Sequence, residues 1–256
     1  MPEPRPYAHA PWPFRLSDPL SVDGSTVTAA EVVAAVGPTL TAARRLRIDR
    51  VVAARTFAVA PILEQVADAG NIAAVLRSVE ALGYGGVHLV PAAAGSRERP
   101  PNRVTQGADK WLLTRSWKDP AACVAGLRAA GYRIAATMPG GRSIALADLD
   151  LGTPVAVAFG NEHRGVSELL AAEADELVTV PMHGFSRSFN VSVAAAVVLA
   201  HLRERLPREA PHWQPTTAQR LLLTAHYYLA SQPHAASLLR HRALVGEPPD
   251  TPAADR

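Results

Sequence analysis

From Phe57 to Leu206 the chain alternates short apolar runs with longer stretches of helical spacing, and this alternation predicts strands separated by helices. FAVAPIL (57–63), GVHLV (86–90), YRIAATM (132–138), VAVAFG (155–160) and LVTVPM (177–182) have strand length and are rich in Val and Ile. WLLTRSW (111–117) is a further strand candidate. Helical spacing marks NIAAVLRSVEALG (71–83), closed by Gly83, then residues 119–130, then SELLAAEA (167–174) with Ser167 as its cap. VSVAAAVVLAHLRERL (191–206) reads as a long apolar helix, with Pro207 and the PREAPHWQP stretch breaking the chain after it. Apolar strands joined by helices predict an α/β fold with a parallel sheet covered on both faces.

The flanks read differently. Residues 1–24, rich in Pro and polar side chains, predict an irregular arm. A capping box of Thr28 and Glu31 opens a short helix that ends before Gly37-Pro38, and a second helix follows over 40–54. After the break, a last helix over 216–230 precedes a polar tail. The expected organisation is an arm and helical extension over 1–54, an α/β domain over 55–206, and a C-terminal helical extension over 207–256.

At 256 residues and 48% hydrophobic composition, the chain can bury a sizeable core. No run approaches the ~18 apolar residues of a membrane span, and the N-terminus offers no apolar signal region. A cytoplasmic protein without membrane attachment is expected. Cys123 is the single cysteine, so neither an internal disulfide nor a cysteine-based metal cage is available. The charge balance of 26 basic against 23 acidic residues permits nucleic-acid binding without requiring it. All but Lys110 and Lys118 of the basic residues are arginines, a bias that a GC-rich genome produces as readily as phosphate recognition. Position says more: Arg44, Arg45, Arg47, Arg50 and Arg55 crowd one segment, where like charges repel unless an anion offsets them.

Three segments put glycines and polar residues beside apolar elements, where ligands of parallel sheets collect. The first is DAGNIAAVLRSVEALG, in which Asn71 sits at a helix start and Arg77 lies within an otherwise apolar helix. Asn71 serves equally as an ordinary cap, and Arg77 equally as half of a structural ion pair. The second is FGNEHRGVS (159–167), a tight loop between two glycines whose Glu162 and Arg164 are also plausible solvated loop charges. The third is VPMHGFSRSFNVSVAAA (180–196), with Ser188 and Asn190 as cap candidates. Neither GxGxxG nor GxxxxGK[ST] occurs, which argues against a nicotinamide enzyme and a phosphate loop. The nine histidines show no HExxH-type spacing, so no metal is expected.

In this order, the three segments resemble the signature motifs of the SpoU/TrmH-type 2′-O-methyltransferases of the SPOUT class. They match its Asn…Arg motif, its Gly-x-Glu-x-x-Gly-x-Ser loop and its Pro-Met-x-Gly…Ser-x-Asn-Val-Ser-x-Ala motif. GADKW (107–111) resembles a segment of the tRNA-acting branch, and the likeness spans roughly residues 40–206. The resemblance implies a C-terminal trefoil knot, a homodimer whose active site is completed across the interface, and S-adenosylmethionine as cofactor.

Carried over by position, Arg77 is the essential arginine, with Asn71, Glu162, Ser188 and Asn190 as the other polar site residues. Asn71 is expected to hold Arg77 or the RNA. A guanidinium stays protonated to about pH 12, so hydrogen bonding to the neighbouring phosphate suits Arg77 better than proton abstraction. Thr137, Met138, Gly160, Val180, Met182 and Phe189 are implied to line the cofactor site. Phe189 replaces the usual Leu, Asn161 a common Ala, and His163-Arg164 a Lys-Trp type pair. None of these removes a proposed chemical group, although each bears on cofactor geometry or RNA fit.

The helical flanks and GADKW favour tRNA, specifically a D-loop guanosine ribose, over rRNA. Arg44, Arg45, Arg47 and Arg50 are the expected phosphate contacts, extended by Arg203, Arg205, Arg208 and Arg220. A non-catalytic RNA-binding relative is the alternative of another class. It predicts loss of the polar motif residues, all of which are present.

Overall fold

The computed structural model describes residues 12–92, 107–138, 140, 143–210 and 213–245, without the side chains of 241–245. These fall into two compact units. One comprises Arg55–Pro215 with the residues up to Arg15; the other joins Leu16–Ala54 to the residues from Thr216 onward.

The first unit is built on seven strands: β3 (Val59–Glu64), β4 (Gly86–Val90), β5 (Leu113–Ser116), β6 (Arg133–Thr137), β7 (Ile144–Ala145), β8 (Val155–Phe159) and β9 (Glu176–Thr179). Their order is β5-β4-β3-β8-β6-β9-β7, and every pairing is parallel. The chain lays down β3, β4 and β5 outward, crosses to β6 and β7, and then returns to insert β8 between β3 and β6. That return makes the centre of the sheet a topological switch, where loops at the strand ends diverge and leave a crevice.

Both faces are covered, which accounts for apolar runs without alternation. Helices α3 (Ala69–Ala81) and α6 (Val191–Glu209) bury Ile72, Val75, Leu76, Val79, Ala195, Val198, Leu199 and Leu202 against one face. Helices α4 (Pro120–Ala129) and α5 (Glu168–Glu173) bury Cys123, Val124, Leu127 and Leu170 against the other. Each such large side chain contributes about 1.5–3 kcal/mol on burial. Ser167 caps α5 as expected, accepting from the Leu170 N–H.

The second unit contains a hairpin, β1 (Leu20–Val22) and β2 (Ser25–Val27), and helices α1 (Ala29–Val36), α2 (Ala42–Ala54), α7 (Thr217–Ser231) and α8 (Ala235–Val245). Helix α7 packs against α1 and α2, so the two ends of the chain build one helical body. Both α1 and α7 open on capping boxes, Thr28 with Glu31 and Thr216 with Gln219. Gln232 ties back to Thr39 across 193 residues of sequence, at 3.1 Å.

Four expectations need correction. The arm is not irregular over 20–27: Asp23 (φ 48°) and Gly24 (φ 78°) both take the left-handed conformation that a two-residue hairpin turn demands. Its first 11 residues lie outside the described residues. The chain does not break at Pro207, because α6 runs on to Glu209. Proline there forfeits one N–H near the helix end, the ladder resumes with Ala210 N–H to Leu206 O at 3.0 Å, and Arg205 pairs with Glu209 across the last turn. The segment read as a polar tail contains α8, anchored by buried Ala235 and Leu239, while residues from 246 lie outside the described ones. Finally, α3 starts at Ala69, because Asp68 caps it by accepting from the Asn71 N–H at 2.7 Å, leaving the Asn71 side chain free for other bonds.

Candidate active site at the carboxyl ends of the central strands

Where β6, β8 and β9 end, the first unit encloses a cavity of about 360 Å³. Thr137 and Met138 reach it from β6, Phe159 and Gly160 from β8, and Val178–Val180 from β9. Met182, Ser188 and Phe189 close it from the following loop, with Val191, Ala194 and Val198 of α6 as its floor. All six positions expected to receive a cofactor, namely Thr137, Met138, Gly160, Val180, Met182 and Phe189, line this one cavity. A mostly apolar lining with a few polar groups suits a small organic cofactor of nucleoside size.

The loop after β8 is held by its own chemistry. Asn161 and Gly165 exchange backbone hydrogen bonds of 2.9 and 2.8 Å, and Gly165 adopts φ +71° to close the turn. A Cβ on Gly160 would lie 2.0 Å from the Gly165 carbonyl carbon, so only glycine admits this packing. The Asn161 amide donates to Gln65 O at 2.8 Å, and its oxygen accepts the N–H groups of His163 (2.9 Å) and Arg164 (3.2 Å). Gln65 itself holds φ +52°. Beneath it, buried Glu64 accepts from both the backbone N–H (2.7 Å) and the hydroxyl (2.5 Å) of Ser167. Glu64 and Asn161 thus fasten the loop after β3 to the loop after β8. Sequence reasoning missed Glu64, although a carboxylate ending a wholly apolar strand has to find donors.

Three of the expected polar residues form one chain of contacts. Glu162 accepts from the Asn71 side chain (2.9 Å) and from the N–H groups of Ala67 (3.2 Å) and Asp68 (3.4 Å). Asn190 donates to Asn71 Oδ1 at 3.1 Å while capping α6 through Ser192, whose N–H and hydroxyl donate at 2.9 and 2.6 Å. Burial alone would raise the Glu162 pKa; the Asn71 amide and the surrounding backbone N–H groups outweigh it and hold the carboxyl below its ordinary value. Glu162 and Ser188 line the cavity, whereas Asn71 and Asn190 stand just behind it.

Arg77 is not brought into this group. It lies on the exposed side of α3 with Ala74 and Ala81, because Ile72, Val75, Leu76 and Val79 take the core-facing stripe. It makes no ion pair with a described residue, so the expected partner is not found among the described residues, and Asn71 bonds to Glu162 instead of holding it.

The arginine cluster divides. Arg44, Arg47 and Arg50 are exposed on α2, while Arg45 donates to the carbonyls of Gly37 (2.9 Å) and Leu40 (3.0 Å). Arg55 is buried in the first unit, paired with Glu80 at 3.0 Å and donating to Glu80 O and Tyr84 O, and so presents no surface to RNA. Arg203 lies over the Trp213 ring, and Arg205 donates to Leu146 O (2.9 Å) and Leu149 O (2.6 Å); both have structural roles rather than extending a basic surface. Among the described residues no cluster of His, Cys, Asp and Glu is arranged to hold a metal ion, and no helix is long and apolar enough to cross a membrane.

Residues 58–200, from β3 into α6, match the model of the SpoU rRNA Methylase family, and this stretch holds the cavity and all three motif loops. The chain belongs to the SpoU methylase family. Among its relatives, a tRNA (guanosine(18)-2′-O)-methyltransferase of Borreliella burgdorferi is 31% identical over 74% of this chain and 86% of its own length. The enzyme of the same name from Thermus thermophilus is 34% identical over 71% of this chain and 95% of its own length. Among solved structures, the A. aeolicus TrmH/SpoU tRNA modifying enzyme superposes with a TM-score of 0.64 at 25% identity, covering 72% of this SpoU chain and 95% of that one. The SpoU methyltransferase AviRb from Streptomyces viridochromogenes, in complex with AdoMet, superposes at TM-score 0.53 and 25% identity, over 62% of each chain.

Proposed function

We propose that this SpoU chain methylates the ribose 2′-hydroxyl of RNA from S-adenosylmethionine, with a tRNA D-loop guanosine, position 18 in the relatives' naming, as its target. The observation that carries the reading is the cavity at the ends of β6, β8 and β9, lined by the second and third motif loops and by every position expected to meet the cofactor. The cradle fits: Gly160 leaves open backbone where any side chain would intrude, and the walls are largely apolar. Bound there, S-adenosylmethionine supplies an electrophilic methyl group, which leaves positioning and deprotonation to the protein and the RNA.

The residues then divide the work. Thr137, Met138, Gly160, Val180, Met182 and Phe189 hold the cofactor. Glu162, Asn71 and Asn190 fix the three loops relative to one another, and Ser188 faces the reacting ribose. Arg77 hydrogen-bonds the phosphate beside the target and steadies its charge as the 2′-hydroxyl loses its proton. Arg44, Arg47 and Arg50 grip the RNA backbone, with Arg45 contributing what its two carbonyl bonds leave free.

The chain works as a homodimer in the cytoplasm. Exposed Phe185, Phe189, Val193 and Val197 form an apolar strip on the third motif loop and one side of α6, suited to a second copy. Arg77, which has no partner among the described residues, is suited to serve the pocket of that copy. A C-terminal trefoil knot is supported by the late insertion of β8 between β3 and β6.

The test is tritiated methyl transfer to unmodified bulk tRNA and to rRNA, followed by nucleoside mapping. 2′-O-methylguanosine in the tRNA D-loop is the expected product. Label confined to rRNA would overturn the substrate, and label in neither RNA would overturn the activity.

A further inference from the structure

The side chains lining the cavity include one carboxylate, Glu162, and two guanidinium groups, those of Arg164 and Arg187. Glu162 pairs with neither: Oε1 accepts from the Asn71 amide and the Asp68 N–H, and Oε2 from the Ala67 N–H, so its single negative charge offsets at most one of the two. Arg164 and Arg187 are both exposed, and neither pairs with a described residue. Two cations, each without an ion-pair partner among the described residues, therefore stand against one carboxylate at one cavity mouth, in a site read above as binding a sulfonium, itself a cation. That arrangement disfavours the cofactor electrostatically unless an anion joins it.

Loop chemistry fixes where one of these charges stands. Arg164 sits in the turn closed by the paired Asn161–Gly165 bonds, and its own N–H is held by Asn161 Oδ1 at 3.2 Å. Arg187 immediately precedes Ser188 in the loop between β9 and α6. The two arginines thus come from different motif loops to the same opening.

We propose that Arg164 and Arg187 form an anion clamp at the mouth of the cofactor cavity, which takes one phosphodiester of the RNA adjoining the nucleotide being methylated. This rests on the methyl-transfer reading above and names two positioning residues for it. Guanidinium forks suit phosphate oxygens, and bridging one phosphate between two loops fixes the ribose against the cofactor. The charge balance adds a sign to the proposal. The arriving phosphate offsets the two arginines, so RNA and cofactor each raise the other's affinity, as linkage requires. The other anion of the right chemistry is the amino-acid carboxylate of the cofactor itself, and the two sources give opposite results.

The experiment uses the full chain and the single variants Arg164→Gln, Arg187→Gln, Arg164→Lys and Arg187→Lys. Titration calorimetry gives the S-adenosylmethionine affinity without RNA; steady-state methylation of a tRNA transcript over a salt series gives KM and kcat. Each Gln variant is expected to raise KM for RNA about tenfold, because a neutral amide cannot replace the charge-assisted bonds of a guanidinium to phosphate. The salt slope should fall by up to about 0.7–0.9, the value of one phosphate, because the second arginine still faces it. Cofactor affinity should be unchanged or tighter, and each Lys variant should recover most of the loss, which a misfolded protein would not. Cofactor affinity weakened tenfold with KM for RNA unchanged would assign the arginines to the cofactor carboxylate and overturn the clamp. No change in either quantity would overturn it as well. Failure of the methyl-transfer reading is visible separately, as a wild-type protein that binds cofactor but labels no RNA.

Discussion

Replacing Gly160 by alanine probes the cofactor cradle at the point of closest backbone approach. The added Cβ would stand 2.0 Å from Gly165 C, 2.1 Å from Val166 N and 2.2 Å from Gly165 O. Ordinary carbon contacts lie near 3.5–4.0 Å, so the facing backbone has to retreat by about 1.5 Å. No flexible side chain can absorb that movement, because all three atoms belong to the main chain. The retreat pulls directly on the paired Asn161–Gly165 bonds of 2.9 and 2.8 Å. Two such bonds are together worth about 1–3 kcal/mol, and overpacking adds about 1–3 kcal/mol more, giving roughly 2–6 kcal/mol of destabilisation. For a chain of this size that is a Tm lower by about 4–24 °C. Because the displaced atoms wall the cavity, S-adenosylmethionine affinity measured by titration calorimetry should fall at least about tenfold. Gly165→Ala is the matched control: its Cβ meets nothing within 4 Å, but φ is +71°, so it should cost only the left-handed penalty of about 1–2 kcal/mol. Wild-type Tm and cofactor affinity in Gly160→Ala would refute the packing argument and the placement of the cofactor against this loop.

Arg77→Ala should abolish methyl transfer while cofactor affinity stays at the wild-type value, since Arg77 does not line the cavity; sustained turnover would remove it from the mechanism. Substituting Arg44, Arg47 and Arg50 together by Glu should weaken tRNA binding and flatten its salt dependence by about 0.7–0.9 for each phosphate no longer neutralised, as read by filter binding; an unchanged slope would sink the α2 assignment. Burial, helped by the Arg115 charge, lowers the His88 pKa from 6.5 to about 3, so between these values the unfolded chain binds the extra proton. Stability should therefore be fully present above pH 6.5 and decline as pH falls below it, by up to about 1.4 kcal/mol per pH unit. His88→Gln should flatten that acid limb in urea titrations, and an unaltered limb would count against the burial argument.

The sheet was legible because its inner strands are largely buried on both faces and so read as mainly apolar runs; β3, β4, β6 and β8 carry that mark. The two-residue β7 has no such mark, since Ile144–Ala145 is too short to show a period. The hairpin at 20–27 did carry a signal, the Asp23-Gly24 pair, hidden among prolines that suggested disorder. Charge was the less faithful guide. A run of arginines between 44 and 55 looks uniform in sequence, yet the fold sends Arg55 into a buried pair with Glu80 and leaves Arg44, Arg47 and Arg50 in solvent. What separates them is the turn out of α2 into the first unit, which no local spacing records.

The site divides along the same line. Motif order located the loops, and Asp68, Ser167 and Asn190 follow ordinary capping rules. The connections among loops are another matter: Asn71 meets Glu162 across 91 residues and Asn190 across 119. They exist because the return of β8 to the centre of the sheet places its outgoing loop beside the one that leaves β3. Asn71 bonds to both Glu162 and Asn190 and not to Arg77. A helix that turns Arg77 outward and a network that engages Asn71 elsewhere agree on one consequence. No described residue of its own chain supplies Arg77 with an anion.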